Sequence, residues 1–107
     1  MAAIYVVIHN QNDVAMSSIN GELILVLVAR DGAIEAQQPV DIRTATATFQ
    51  DVPAGNYTIV ARHPDLTPTE TRYDVGVAEN AILGVRYTYN EAQRRLLLIE
   101  TEMRFLP

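Results

Sequence analysis

The chain contains no cysteine among its 107 residues. Disulfide bonds and thiolate chemistry are therefore excluded, and the absence fits a reducing cytoplasm. Without cross-links the fold depends on its core, and a chain of this length can bury roughly two thirds of its unfolded surface. With 49% hydrophobic and 20% charged residues, the composition predicts one ordinary folded domain that covers residues 1–107.

Basic side chains are few. Eight Lys and Arg residues stand against 13 Asp and Glu residues, the net charge is −5 at pH 7, and no basic cluster is longer than Arg94-Arg95. Binding to nucleic acid or to an anionic membrane surface requires a basic face. We therefore expect neither as a partner.

Long apolar runs are also missing. Uncharged apolar runs such as residues 23–29 and 96–99 are far shorter than the about 20 residues that cross a bilayer. The apolar run of residues 3–9 lacks the basic leader and the length of a signal peptide, and it alternates as a strand does. These features predict a cytoplasmic protein that does not span a membrane.

Histidine occurs twice, as His9 and His63, each at the end of a predicted strand. A zinc site needs three or four ligands, which two isolated histidines without cysteine do not supply. Acid–base catalysis needs a titratable group with an orienting partner, and no serine lies in a Gly-x-Ser-x-Gly elbow. We therefore expect a protein that is not an enzyme, with no catalytic residue, metal or cofactor, and with both histidines satisfied by backbone groups.

The most informative stretch is residues 48–62. An apolar segment meets the turn-forming residues Asp51, Pro53 and Gly55, and an alternating run follows. Pro53 presets one backbone angle, and Gly55 adopts positive φ at little steric cost. The stretch predicts a strand, a corner and a second strand. Tyr57 is placed so that its ring enters the core while its hydroxyl reaches back to the corner, as in the tyrosine corner of sandwich domains.

Short alternating segments separated by turn signals make up the rest of the chain. Asn20-Gly21 and Asp31-Gly32 are typical two-residue hairpin turns, and Pro39 marks the margin of a sheet. Residues 22–29 are apolar on both faces, which favours a central strand. Together these segments predict an all-β sandwich of about seven to nine strands.

Residues 91–105 are compatible with two structures. Leu, Glu, Met and Arg are good helix formers, so a short C-terminal helix is one alternative. The other is a strand, in which five residues alternate with the charged Glu100, Glu102 and Arg104, namely Leu97, Ile99, Thr101, Met103 and Phe105. We favour the strand because a loop of hairpin size precedes it and the rest of the chain is β.

Residues 47–61 resemble a family signature. Phe49, the run Pro53-Ala54-Gly55 and Tyr57 are similar to the phenylalanine, proline-alanine-glycine and tyrosine pattern of carboxypeptidase-regulatory-like and transthyretin-like (prealbumin-like) domains. Residues 71–77 look like the strand that those domains place next. The resemblance implies an immunoglobulin-like or prealbumin-like β-sandwich. It implies little about function, since such domains occur as accessory, adhesive and transport modules.

Two features predict contact with other chains. Several strands are apolar on both faces, which is more than a two-layer sandwich covers with its own body, and the apolar C-terminal segment can extend a neighbour's sheet. We expect a structural or accessory protein that acts through protein–protein assembly, as a homo-oligomer or as a subunit of a larger complex. Six residues are candidate partner contacts, with core packing as the alternative for the two tyrosines: Tyr87, Tyr89, Leu97, Ile99, Met103 and Phe105.

Two other functions stay open. A small-ligand or carbohydrate-binding module would use end loops, with residues 10–13 and 63–69 as walls. A transthyretin-like hydrolase is suggested by the resemblance alone, because those enzymes carry catalytic histidines and an arginine, and His9 resembles their N-terminal histidine. They also need a later histidine and a Tyr-Arg-Gly-Ser tail, whereas residues 82–107 contain no histidine and end in Arg104-Phe105-Leu106-Pro107. We therefore rank the hydrolase last.

Overall fold

The computed structural model describes residues 1–105. Every regular element in this range is a β-strand, and within it no helix is long and apolar enough to cross a membrane. The ten strands are β1 (Ala2–Asn10), β2 (Ser18–Ile19), β3 (Glu22–Leu23), β4 (Leu25–Arg30), β5 (Ala33–Pro39), β6 (Thr46–Val52), β7 (Gly55–Arg62), β8 (Glu70–Val77), β9 (Ala81–Asn90) and β10 (Arg95–Phe105). The all-β prediction is confirmed. The count of ten exceeds the predicted seven to nine because it includes β2 and β3, which have only two residues each.

The strands form two four-stranded sheets and one short hairpin. The first sheet has the order β10-β9-β1-β6, the second has the order β5-β4-β7-β8, and β2 pairs with β3. Neighbouring strands are antiparallel except for β1 and β9, which run parallel in a continuous register from Ala3 opposite Ile82 to Asn10 opposite Tyr89. The first sheet is therefore assembled from segments that lie far apart in the sequence.

One apolar cluster includes side chains from both sheets. Alternate residues of each strand enter it, as the two-residue period of a strand requires. The first sheet contributes mainly through β1 and β9, and the second through β4 and β7, with Ile4, Val6, Ile8, Leu83, Val85, Val26, Val28, Ile59 and Ala61 among the buried residues. This cluster holds the two sheets together.

The predicted central strand at residues 22–29 is divided at Ile24. The backbone N–H of Ile24 donates to the Ser17 carbonyl at 2.9 Å, and its carbonyl accepts from the Val40 N–H at 2.9 Å. These loop contacts separate β3 from β4. The remaining strand, β4, lies between β5 and β7 and is central as predicted, and Pro39 ends the edge strand β5.

The corner between β6 and β7 carries the chain from the first sheet to the second. Asp51 has φ 55° and Gly55 has φ 153°, and the Tyr57 side chain is only 4% exposed. The Tyr57 hydroxyl donates to the carbonyl of Pro53. The predicted strand–corner–strand arrangement and its tyrosine contact are confirmed.

Arg30 packs against this corner. Its guanidinium carbon lies 5.4 Å from the centre of the Tyr57 ring, and a Cβ built on Gly55 would lie 3.2 Å from Arg30 Nη2. The combination of an unusual φ and a close neighbour explains why glycine stands at position 55. The corner is thus fixed by two side chains of the second sheet, Tyr57 of β7 and Arg30 of β4.

The two predicted hairpin turns are also confirmed. Asn20 and Gly21 have φ values of 53° and 81°, and Asp31 and Gly32 have 52° and 81°. Positive φ at both central positions matches the right-handed twist of paired strands. These turns connect β2 to β3 and β4 to β5.

The C-terminal segment is the strand β10, and the alternative of a helix is wrong. β10 pairs antiparallel with β9 from Arg95 opposite Asn90 to Phe105 opposite Ala81. The pairing provides hydrogen-bond partners for the backbone N–H and carbonyl groups on the outer side of β9, which a helix would not provide. Tertiary pairing therefore outweighs the helix propensity of Leu, Glu and Met in this segment.

Two tyrosines of β9 lie in the core. The rings of Tyr87 and Tyr89 are stacked with centroids 6.4 Å apart. The Tyr87 hydroxyl donates a long hydrogen bond of 3.4 Å to the Ile59 carbonyl, whereas the Tyr89 hydroxyl has no hydrogen-bond partner within residues 1–105. Burial raises the pKa of both phenols, that of Tyr89 to about 12, and the nearby Thr71 hydroxyl opposes this rise only in part.

Removing the hydroxyl should have opposite consequences at two of these buried tyrosines. We expect Tyr57→Phe to lower the free energy of unfolding by about 1–2 kcal/mol, because the Pro53 carbonyl loses its donor. Tyr89→Phe should be neutral or stabilising by up to about 1 kcal/mol, because an unpartnered polar group leaves the core. Urea unfolding followed by circular dichroism measures both values, and a Tyr89→Phe variant less stable than Tyr57→Phe would contradict this assignment.

The buried phenols should also make the fold sensitive to alkali. An unfolded tyrosine titrates near pH 10, below the folded-state pKa of Tyr89 at about 12, so the unfolded chain releases the proton first as the pH rises. Stability is then kept below pH 10 and falls between pH 10 and 12, by up to about 1.4 kcal/mol per pH unit for each tyrosine. Urea unfolding across this range should show a shallower loss for Tyr89→Phe, and equal slopes would count against the prediction.

Candidate functional site

Within residues 1–105, four strands form the edges of the two four-stranded sheets, and β10 is the longest of them at 11 residues. The edges β5 and β6 lie beside each other, since Gln38 Nε2 of β5 donates to the Thr48 carbonyl of β6 at 2.7 Å. Within residues 1–105 no strand pairs with the outer side of β10. Its backbone groups there are available to another chain.

The beginning of β10 is covered by a loop. The Thr67 N–H donates to the Arg94 carbonyl at 2.8 Å, and the Thr67 carbonyl accepts from the Leu96 N–H at 3.0 Å. A bulge follows, because the register with β9 shifts between Leu96 and Leu98. The free edge therefore begins after the bulge and extends to Phe105.

One face of β10 points to the core side of the first sheet. Ile99, Thr101 and Met103 stand opposite Tyr87, Val85 and Leu83 of β9, which are buried. In the second sheet, however, the edge strand β8 lies over β9, since the Thr71 hydroxyl of β8 lies beside the phenols of Tyr87 and Tyr89. Ile99 still packs partly against the core, but Met103 is 41% and Phe105 is 66% exposed. The part of β10 beyond Ile99 thus extends past the edge of the second sheet, and we call this part the overhang.

The other face of β10 is charged. Glu100, Glu102 and Arg104 stand opposite Arg86, Gly84 and Ile82 of β9. Arg104 Nε lies 3.1 Å from Glu102 Oε1, and both side chains are exposed. An ion pair this exposed adds little to stability. These charges are consequently free to interact with a partner.

A shallow depression of about 510 Å³ lies on this outer face. Gly84 has no side chain to fill the space between Tyr5, its neighbour on β1, and Glu102, its neighbour on β10. Tyr5 and Ile82 are exposed beside it. Exposed apolar surface therefore continues from the edge of β10 onto the outer face of the first sheet.

Of the six predicted partner residues, the structure places four together on β10. Leu97 and Leu98 are exposed at the bulge, Met103 and Phe105 are exposed at the far end, and Ile99 is half-buried between them. Sequence reasoning missed Leu98. Its exposure depends on the bulge, and the alternation of residues in the sequence does not reveal a bulge.

The structure corrects the prediction that Tyr87 and Tyr89 contact a partner. Both side chains are 0% exposed, since on β9 the face that β10 shares is covered by the second sheet. Their rings stabilise the core and have no surface to offer a partner in the folded chain. The alternative of core packing describes both residues.

The apolar outer face of the second sheet is covered by the chain itself. Leu27 of β4 and Val60 of β7 are paired neighbours on that face, yet Leu27 is only 1% exposed. Gln37 and Arg72 flank them in the next strands, and long polar side chains can lay their stems over apolar neighbours. This face therefore needs no partner, and the exposed apolar surface is concentrated at β10.

Both histidines are hydrogen-bonded within the chain. His63 has the predicted backbone partners, since its Nε2 donates to the Glu22 carbonyl at 3.1 Å and its Nδ1 accepts from the Asp65 N–H at 3.0 Å. Its side chain is buried, whereas a histidine at the surface or rim was expected. His9 has side-chain partners instead of backbone ones, with Nδ1 3.0 Å from Arg86 Nη2 and 3.1 Å from Asp13 Oδ1. Among residues 1–105, no three His, Asp or Glu side chains are grouped so that they could hold a metal ion.

The end loops form a second depression of about 520 Å³. Asn10 and Gln11 line it, but residues 63–69 do not. Asp65 accepts a hydrogen bond from Asn20, which lies in the lining. The lining groups bond to one another: Asn10 Nδ2 donates to Glu91 Oε1, and the Glu91 N–H donates to Gln11 Oε1, each at 2.9 Å. One of the two predicted walls is therefore present.

Comparisons of the chain with protein-family models, with curated proteins and with solved structures give no match. The resemblance of residues 47–61 to carboxypeptidase-regulatory-like and transthyretin-like domains therefore depends on those residues alone.

Proposed function

We propose that the protein is a non-enzymatic structural or accessory protein that acts by assembling with other protein chains through β10. The observation that carries this proposal is the free edge of β10, which bears exposed apolar side chains and has no strand beside it within residues 1–105. A partner strand would add hydrogen bonds to this edge and cover those side chains. Assembly is therefore the role that fits the site best.

Apart from the charged side chains of its outer face, the edge has few of the features by which proteins usually prevent strand pairing. β10 contains no proline and no lysine, and its one bulge lies at the end that Thr67 already covers. A long edge strand with exposed apolar residues invites another chain to pair with it. Because Met103 and Phe105 are already partly covered, burying the rest of each would contribute about 1–2 kcal/mol in addition to the backbone hydrogen bonds.

For the fold we propose an immunoglobulin-like or prealbumin-like β-sandwich. Two four-stranded sheets share one apolar cluster, and a tyrosine corner connects them at Pro53 and Tyr57. Both features support the relationship that residues 47–61 suggest.

Charged substitutions at the exposed end of β10 should abolish assembly. The wild-type protein should show a mass above one chain by light scattering, alone at high concentration or in the complex isolated from its source at low salt. The double variant Met103→Asp/Phe105→Asp should weaken this association by more than about 100-fold, because it replaces apolar contact with buried charge.

The matched control is Ile34→Asp/Ile42→Asp. Ile34 and Ile42 are as exposed as Met103 and Phe105 but lie on β5 and on the loop after it, so the mass should not change. A wild-type protein that is a single chain in both preparations would contradict the proposal. So would an assembly that survives the substitutions on β10.

The end-loop depression supports a second candidate, the binding of a small ligand or carbohydrate. Its volume of about 520 Å³ lies in the range of ligand pockets. A ligand at a hundred times its dissociation constant stabilises the fold by about 2.7 kcal/mol. A thermal-shift screen of sugars should then show a rise in melting temperature that Gln11→Ala removes and Gln50→Ala, which lies outside the depression, does not. No shift with any sugar would reject this candidate.

A further inference from the structure

The charged face of β10 is complementary to itself. Along the strand this face carries Glu100, Glu102 and Arg104 at alternate positions. When two copies of a strand pair antiparallel about a two-fold axis, residues equally distant from the central residue stand opposite each other. With Glu102 at the centre, Glu100 of each copy faces Arg104 of the other. Two opposite-charge pairs across the strands result, and such pairs stabilise a sheet.

The same register matches the apolar face. Ile99 of each copy stands opposite Phe105 of the other, and Thr101 stands opposite Met103. Phe105 and Met103 are the exposed side chains of the overhang. The register that pairs the charges therefore also covers these apolar side chains.

Neighbouring registers fit less well. A pair centred on Thr101 would place Glu100 opposite Glu102 twice, which is repulsive. A pair centred on Glu100 would bring Phe105 of the second copy to Arg95, where Thr67 already lies against the strand. A pair centred on Met103 would use only residues 101–105 of the described strand.

The chosen register has one unfavourable contact, Glu102 against Glu102. Each of these carboxylates lies 3.1 Å from the guanidinium of Arg104 in its own chain. Because a positive charge lies beside each carboxylate, their mutual repulsion is reduced. The contact weakens the pair without excluding it.

From these matches we infer that the partner of β10 is a second copy of this chain, paired antiparallel through residues 99–105 with Glu102 at the centre. The inference rests on the proposed function, since it names the partner of the same edge. The product is a closed two-fold dimer whose first sheets join into one sheet of eight strands, four from each copy. The unpaired edge of β10 in each copy is then paired with that of the other copy.

Charge reversal tests the register. Glu100→Arg sets two arginines opposite each other across the strands, and Arg104→Glu sets two glutamates opposite each other. Each variant alone should therefore dimerise at least about tenfold more weakly than the wild type. An equimolar mixture of the two variants should restore dimers, because at these positions every arginine then faces a glutamate. Sedimentation or light scattering over a range of concentrations measures the dissociation constants of both variants and of their mixture.

Glu35→Arg is the matched control, a reversal at an exposed position of the edge strand β5, and it should dimerise as the wild type does. The reversed positions on β10 are also exposed, and circular dichroism should show unchanged folding.

The outcomes separate this inference from the proposed function. If the wild type assembles and Met103→Asp/Phe105→Asp abolishes the assembly, but the mixture restores nothing, the register is wrong and the function of β10 stands. If the wild type is a single chain when purified and pairs through β10 only with a different protein, the second copy is likewise rejected. If no assembly depends on β10, both proposals fail. Restoration by the mixture supports both.

Discussion

The hydroxyl of Tyr57 holds the carbonyl of Pro53 where the chain leaves the first sheet for the second. Asp51 and Gly55 supply the unusual backbone angles of this corner, and Arg30 packs against it from β4. The strand before the corner, β6, lies at one edge of the first sheet, and the strand after it, β7, is an inner strand of the second. Because β1 then takes the place between β6 and β9, the position remaining for β10 is the far edge.

That position determines the surface we assign to assembly. β8 lies over β9, and Met103 and Phe105 are exposed, so the residues of β10 beyond Ile99 have the alternation of a core strand without a sheet opposite them. The exposed surface of β10 has unpaired backbone groups and apolar side chains. In the end-loop depression, by contrast, polar groups already form hydrogen bonds with one another. Unpaired backbone and apolar side chains gain more from a partner than polar groups that are already paired. This difference is why we place assembly ahead of ligand binding.

Local chemistry made much of the fold predictable. The hairpins at Asn20-Gly21 and Asp31-Gly32 and the corner at Tyr57 depend on the backbone preferences of a few adjacent residues, and all three were predicted. Tyr89 and Met103 show the limit, because both occupy core-facing positions of paired strands, yet one is buried and the other exposed. Which of them is covered depends on how far the second sheet extends. The bulge near Leu97 likewise depends on pairing with β9.

Amide hydrogen exchange of β10 at increasing protein concentration tests the central claim most directly. If β10 is the docking edge, the outward-pointing amides between residues 99 and 105 should exchange more slowly as the concentration rises, while amides on the other exposed edges, such as that of β8, keep their rates. The same slowing should occur at low concentration once an added partner is present. Exchange rates in β10 that are independent of both concentration and partner would contradict the account.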